Sequence, residues 1–492
     1  MDQAAATPPV RIWEIVALAV LLTGYLLTMA IVGDQGTFVI NMGGPAALGV
    51  ILLLGAIPAA MRDCDVIWTP LFWFRIAAAA YFSFGNVITY VLNPVSKQVI
   101  ENFFSAYTDL ITKLNAVTTL GILLVLAAAH GAEKLADGAR ASPRPSARPR
   151  RTMEKPDLQL TIGVGFLAVG GFVKLVFVIP AALGIVQSTL FGSIGALSLL
   201  TDAGIYLVAA WAWRRRPALV LIPLGLTLLE VFFGLLAFDK TEVIASIMVM
   251  ALAWLSKGVT AKRMAITSAV ILVTFGQIVP FVTSSRTELF RRYHSLQGAG
   301  LPERLEIAVQ YFDRAGPGVG DEQIGLMRFS YVNGGSLALS LFDNGKPGDT
   351  LATLPATVVP RALWPDKPNM TSIGREFNYI ADGNEESASS PGWFAEAYWD
   401  LGWLGLPLVM LPLGVILQLW SRFSLTVLRE GRWIYFPLCF LGMKMGTSVD
   451  GFVVPDVMGT TVLALAAYAV MRVALDANDR LRPRPGMAGA LR

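Results

Sequence analysis

The stretch IWEIVALAVLLTGYLLTMAIV, residues 12–32, decides the class of this chain. An unbroken apolar run of about 20 residues is what an α-helix needs to cross a hydrocarbon layer. A short polar start, residues 1–11, precedes it, and no small-residue cleavage signature follows. It therefore reads as a retained first span and not as a signal peptide. Composition agrees, with 54% hydrophobic and 15% charged residues in a chain of 492 and a mean hydropathy of +0.58. A water-soluble domain is excluded by such values.

Working outward, similar runs recur at 12–33, 43–61, 66–91, 115–130, 158–182, 190–213, 217–237, 243–256, 264–284, 396–420, 433–449 and 457–476. The expected fold is all-α and polytopic, with about 12 transmembrane helices. The net charge of +4 does not mark a nucleic-acid surface, because Lys and Arg fall in short clusters between the apolar runs. They sort by topology instead. Placing the N-terminus in the cytoplasm puts Arg62, the basic run 131–155, WRRRP (213–217), 256–263, 421–432 and the tail 479–486 on the inside. The alternate connections carry few cations and fall outside. Cys64 and Cys439 are far apart and form no CxxC or Cys/His spacing, so neither a disulfide framework nor a metal site is expected.

The domain organisation follows. Residues 1–284 carry helices 1–9 with a basic cytoplasmic loop near 131–157, 285–395 form a large extracytoplasmic loop between helices 9 and 10, 396–476 carry helices 10–12, and 477–492 are a basic cytoplasmic tail. The outer loop contains aromatic and aliphatic residues among its charges and should fold against the bundle. PERLEIAVQYFDRA (302–315) has helical spacing with Leu305, Val309 and Phe312 on one face, 324–343 suits a second helix, and turn-rich straps follow.

One strap is VPRALWPDKP (359–368), whose three prolines forbid a helix and fix an extended backbone. Arg361 and Lys367 within it, and Arg375 just beyond, sit in a rigid setting at the outer leaflet, where a lipid-linked phosphate or diphosphate is a natural ligand for them. Ordinary solvated charge is the alternative for the loop cations as a group. Inside the spans, Arg75, Lys174, Asp202 and Glu230, with Lys444 and Asp450 near the outer end of helix 11, should point inward, as structural pairs or into a cavity. SSPGWFAEAYWDLGWLGLP (389–407) leads into helix 10; Glu396 and Asp400 are four apart and share a face, while Trp393, Tyr398, Trp399 and Trp403 form an aromatic collar. Burial at that junction would suit Glu396 to general-base work, and GWLG (402–405) gives a close-packed start to the span.

The PRALWPDKP strap, the following Gly-Arg-Glu-Phe (374–377), Glu-Ala-Tyr (396–398) and Gly-x-x-Gly (402–405), set in an outer loop before the last spans, resemble the Wzy-type oligosaccharide repeat-unit polymerases of O-antigen and exopolysaccharide synthesis. The resemblance covers about 50 residues plus the topology. It implies a metal-independent, cofactor-free membrane glycosyltransferase of the GT-C type in the bacterial cytoplasmic membrane. Its donor and acceptor would be undecaprenyl-diphosphate-linked oligosaccharides, in contact with membrane lipid and in company with a chain-length regulator and a flippase, and nucleic acid is not a partner. On that analogy Arg361 and Arg375, then Arg286, Arg328 and Lys367, bind diphosphate; Glu396, then Asp366, Glu376 and Asp400, supply the base; Trp364, Trp393 and Tyr398 stack on sugar. Two alternatives stay open. O-antigen ligases of related architecture usually carry a loop histidine, for which His294 is the available residue, and twelve spans with both termini inside also suit a transporter or flippase of lipid-linked oligosaccharide.

Overall fold

A computed structural model describes residues 10–91, 108–140, 156–185, 196–294, 299–313, 329–359, 364, 372–383 and 388–481. Among them there are helices and turns and no strand. In chain order they are α1 (Ile12–Val32), α2 (Phe38–Arg62) and α3 (Pro70–Ala78, continued by a π-helical turn at Ala79–Phe84 and by Gly85–Val91). Next come α4 (Ile111–Arg140), α5 (Pro156–Val173, continued by a π-helical turn at Lys174–Val178 and by Ile179–Ala182), α6 (Leu199–Arg215), α7 (Leu221–Leu236), α8 (Lys240–Leu255) and α9 (Ala261–Tyr293). The loop region holds α10 (Leu301–Asp313), α11 (Val332–Asp343), α12 (Leu354–Val358) and α13 (Ser372–Asp382). The chain then runs through α14 (Trp393–Leu401), α15 (Gly405–Arg429), α16 (Phe436–Thr447) and α17 (Thr460–Leu481, preceded by a π-helical turn at Val454–Gly459).

This is a multi-pass membrane protein. Nine described segments are long and apolar enough to cross a bilayer, namely α1 to α5, α7 with its preceding turn, α9, the α14–α15 pair and the last helix. Their outer faces carry exposed Val16, Val20, Leu27 and Ile31 on α1 and Leu221, Ile222, Leu228 and Phe232 on α7, which hydrocarbon tolerates and water does not.

Among the described residues three of the twelve expected spans do not reach that standard: α6 has 17 residues, α8 has 16 and α16 has 12. At about 1.5 Å per residue all three helices are shorter than a hydrocarbon core of about 30 Å. The apolar run at 433–449 includes a 3₁₀ turn at Trp433–Tyr435 and ends at Ser448, so its length in sequence overstates its helix. Burial makes the short lengths workable. Nearly every residue of α6 from Thr201 to Ala210, and of α16 from Phe436 to Met443, is enclosed by other helices.

α6 packs on α5 and α8, α15 packs on α4, and α3 packs on α16, with α1 and α2 laid against α4 and α3. Charges hold several of these contacts. Arg75 of α3 meets Glu14 of α1 at 2.8 Å, both fully buried, and Glu14 Oε1 also accepts the backbone N–H of Arg11. Polar contacts cluster at opposite ends of the bundle. At one end Val10 O meets His130, Asp63 meets Arg429 and Glu133 meets Arg422; at the other Gln35 meets Asp109, Lys113 meets Asp34 and Asp343, and the Trp393 N–H donates to Val449 O. That grouping matches the alternation of the connections along the chain.

Within the loop region α10 forms as its spacing predicts. Arg304 and Ile307 are buried, with the Arg304 guanidinium donating to Leu236 O and lying over the Phe238 ring at the turn after α7, whereas Leu305, Val309 and Phe312 are 40%, 56% and 70% exposed. Most of the apolar stripe faces away from the protein, as in a helix flanking a hydrocarbon phase, while the Phe312 ring also stacks on Phe281 of α9. Of the expected helix at 324–343, residues 324–328 lie outside the described residues and the helix itself begins at Val332. A strap was expected where α13 forms a helix.

Candidate functional site

The site is built on α14, a nine-residue helix whose residues Trp393 to Asp400 are all buried. It begins after Gly392 and ends at Gly402, where φ is 60°, a left-handed conformation that glycine adopts without strain. Gly405 then starts α15 so close beneath α14 that a Cβ on it would lie 1.8 Å from the Ala397 carbonyl oxygen. Gly-x-x-Gly thus makes a tight step between two helices. The step leaves α14 capping the bundle, covered by α11 and the 3₁₀ turn at Thr350–Thr353.

Glu396 and Asp400 do share a face, and they share a ligand. Thr350 Oγ1 lies 2.7 Å from Glu396 Oε1 and 2.6 Å from Asp400 Oδ2. One hydroxyl proton serves both, so backbone donors complete the arrangement: Leu351 N–H reaches Asp400 Oδ2 at 2.8 Å, Thr350 N–H reaches Oδ1 at 3.3 Å, and Val453 N–H reaches Glu396 Oε2 at 2.6 Å. Glu396 is 1% exposed and both of its oxygens are engaged. The pair pins the start of the 350–359 segment and the segment before the last span onto one helix. Thr350, absent from the sequence-derived candidates, is the centre of this joint.

The other side of α14 carries a second cluster, which joins the sequence-derived candidate Tyr398 to Lys113 and Asp343, absent from those candidates. Tyr398 Oη donates to Asp343 Oδ1 at 2.9 Å, and Lys113 Nζ at the start of α4 lies 2.5 Å from Asp343 Oδ2. The same ammonium is 3.9 Å from Asp34 and sits over the Tyr398 ring, 5.2 Å from its centroid. The Asp343 and Asp34 side chains keep 34% and 41% of their surface exposed, so the cluster opens to its surroundings. Phe342 and Trp403 pack edge-on to Tyr398. A carboxylate, an ammonium and aromatic rings around one opening are suited to binding hydroxyl-rich ligands.

The remaining candidates separate. Arg375 and Glu376 lie side by side on the exposed face of α13, with Phe377 buried beneath them against Trp399. Arg286 donates from Nε to the Phe238 carbonyl at 2.8 Å and so holds the turn between α7 and α8, where Phe238 itself is left-handed at φ 53°. Trp364 is 37% exposed. Trp393 is enclosed and stacked against Phe74, and Tyr398 and Trp399 are also buried; the expected collar at the membrane surface reduces to Trp403. The reason is that the loop turns back over α14 and covers it. Arg328, Arg361, Asp366 and Lys367 lie outside the described residues. His294 is the exposed left-handed cap of α9.

Near the candidate site, Asp450 accepts a hydrogen bond from Tyr331 Oη at 3.2 Å and another from Tyr81. Burial pushes its carboxyl up from the ordinary range in spite of those bonds. At the opposite end, Asp63, Cys64 and Asp65 bring potential ligand atoms within 4.8 Å of one another. Asp63 is already paired with Arg429 at 2.6 Å, and burial raises the Cys64 thiol to about 11, so it keeps its proton. No family model, curated protein or solved structure matches this chain.

Proposed function

We propose that the protein is a metal-independent membrane glycosyltransferase that polymerises undecaprenyl-diphosphate-linked oligosaccharide repeat units at the outer face of the bacterial cytoplasmic membrane, with both termini cytoplasmic. The observation that carries this reading is the open Lys113–Asp343–Tyr398 cluster, at the same end of the bundle as the joint that fixes the segment leading towards the Arg361–Lys367 strap. Its chemistry suits an acceptor sugar. Arg361, Lys367 and the exposed Arg375 supply cations for the diphosphate leaving group, whose developing charge they would neutralise. Because Glu396 and Asp400 are saturated with hydrogen bonds, we assign them a positioning role, and proton acceptance falls to Glu376 or Asp366. Trp364 offers an exposed ring for stacking.

The test is elongation by the purified protein of a synthetic lipid-diphosphate repeat unit, resolved as a ladder on a gel with chelator present. Wild-type ladders that vanish in Arg361→Ala and shorten in Asp343→Asn support the reading. Ladders unaffected by replacing Arg361, Lys367 and Arg375 together overturn it. Transfer of finished glycan to a different acceptor, without a ladder, identifies a ligase. A second reading, ion-coupled movement of a lipid-linked oligosaccharide, is favoured by the charged cluster around Lys174 inside the bundle.

A further inference from the structure

Four helices bring charged groups to one point within the spanning region. Lys174 stands where α5 takes its π-helical turn, and its Nζ is 2.8 Å from Glu230 Oε1 on α7 and 2.9 Å from Glu242 Oε2 on α8. Ser246 Oγ, one helical turn beyond Glu242, lies 2.9 Å from Glu230 Oε2. Asp202 on α6 faces the same group: it acts on Lys174 and stands carboxyl to carboxyl with Glu230, within hydrogen-bonding reach. Asp202 is 5% exposed, and its Oδ1 is enclosed without a hydrogen-bond partner. The charged groups that act on it are Glu230, Lys174 and Glu242, and on the side of α16 the ring of Phe436 stacks against Tyr206 of the same helix.

Counting charge exposes a deficit. Three carboxyl groups face one ammonium, which makes its close ion pairs with Glu230 and Glu242 and also acts on Asp202. Two ionised carboxylates facing each other in a medium of low dielectric repel strongly, and the enclosed Oδ1 of Asp202 has no hydrogen-bond donor, so the single Lys174 ammonium is left to offset that repulsion. A positive charge small enough to fit between two carboxyls would relieve it. Access also exists, because Glu242 keeps 40% of its side-chain surface exposed while Glu230 and Lys174 are each at 8%.

We propose that Asp202 and Glu230 hold one exchangeable proton between them, and that Glu242 relays it to and from the surface. The proton comes from bulk water onto the Glu242 carboxylate, passes to the Glu230–Asp202 pair, and returns by the same route; no redox partner or other co-reactant is consumed. This site is separate from the α14 site, and stands whichever reaction occurs there. Its position at the junction of α5, α6, α7 and α8 means that gain or loss of the proton alters the attraction holding these helices together.

Infrared spectroscopy of the full-length protein in lipid nanodiscs tests it without any substrate. The expected result is a carbonyl-stretch band of a buried protonated carboxyl at neutral pH, lost in both Asp202→Asn and Glu230→Gln. In Glu242→Gln the band remains and its shift on transfer to deuterium oxide slows several-fold. Absence of the band in the wild type, or its survival in both Asp202→Asn and Glu230→Gln, overturns the shared proton. Unchanged exchange in Glu242→Gln overturns the relay, and this variant changes a half-exposed side chain, so it reports even where the buried variants fail to fold. Thermal stabilisation by sodium chloride over choline chloride, with no acid band, assigns the site to a metal cation and overturns the proton.

Discussion

The hydroxyl of Thr350 lies 2.6 Å from Asp400 Oδ2 and thereby couples the loop to the helix that leads into α15. Thr350→Val keeps the side-chain shape and removes the donor, leaving two buried carboxyls with one hydrogen bond fewer to share. We expect a loss of about 1–3 kcal/mol, measured as a lower midpoint of thermal unfolding in detergent. Thr350→Ser retains the hydroxyl and should stay close to wild type.

Lys113 and Asp343 are a pair that joins α4 to the loop at 2.5 Å. Side-chain exposures of 11% and 34% make the contact only partly screened. Lys113→Met and Asp343→Asn, singly and together, should give a coupling of about 1 kcal/mol in a double-mutant cycle. Elongation should fall further than stability does if the pair binds sugar, and a parallel loss of both would leave the pair a purely structural role.

Glu14 and Arg75 are both buried, so removing one strands the other. Glu14→Ala should destabilise by about 3–5 kcal/mol, and the double replacement Glu14→Gln with Arg75→Gln should recover much of that loss. Thermal unfolding of the two purified variants decides it; equal destabilisation by single and double changes would contradict an ion-pair origin.

Asp450 has a pH signature of known sign. Its carboxyl is raised in the folded protein by burial, so the folded state keeps a proton that the unfolded state releases. Its contribution to stability is complete below the ordinary carboxylate range and is lost as pH climbs through the raised value. Asp450→Asn should flatten that part of a stability-against-pH curve. A curve of unchanged slope would show that Asp450 titrates normally.

Much of the architecture was legible because hydrocarbon imposes long apolar runs, and the shared face of Glu396 and Asp400 followed from helical spacing alone. What was not legible is long-range. Thr350 looks like any loop threonine until the fold brings it to Asp400, fifty residues away. Glu14 is hidden because averaging over a hydrophobic run absorbs one acid, yet it is the partner that explains Arg75. Spacing correctly grouped Leu305, Val309 and Phe312 but carried no sign of which phase that face would meet. Run length also overstated α16, since hydropathy does not register where a helix stops.

The π-helical turns in α3, in α5 and before α17 each amount to one surplus residue threaded into a continuous helix. Sequence length and spatial phase are thereby uncoupled at these points. Deleting a single residue beside Lys174 should restore an ordinary α-helix while the segments on either side keep facing their present neighbours, so α5 should tolerate a shortening that an uninterrupted span such as α1 would not. The surplus is local, and its most direct effect would be to withdraw the Lys174 ammonium from the point where α6, α7 and α8 meet.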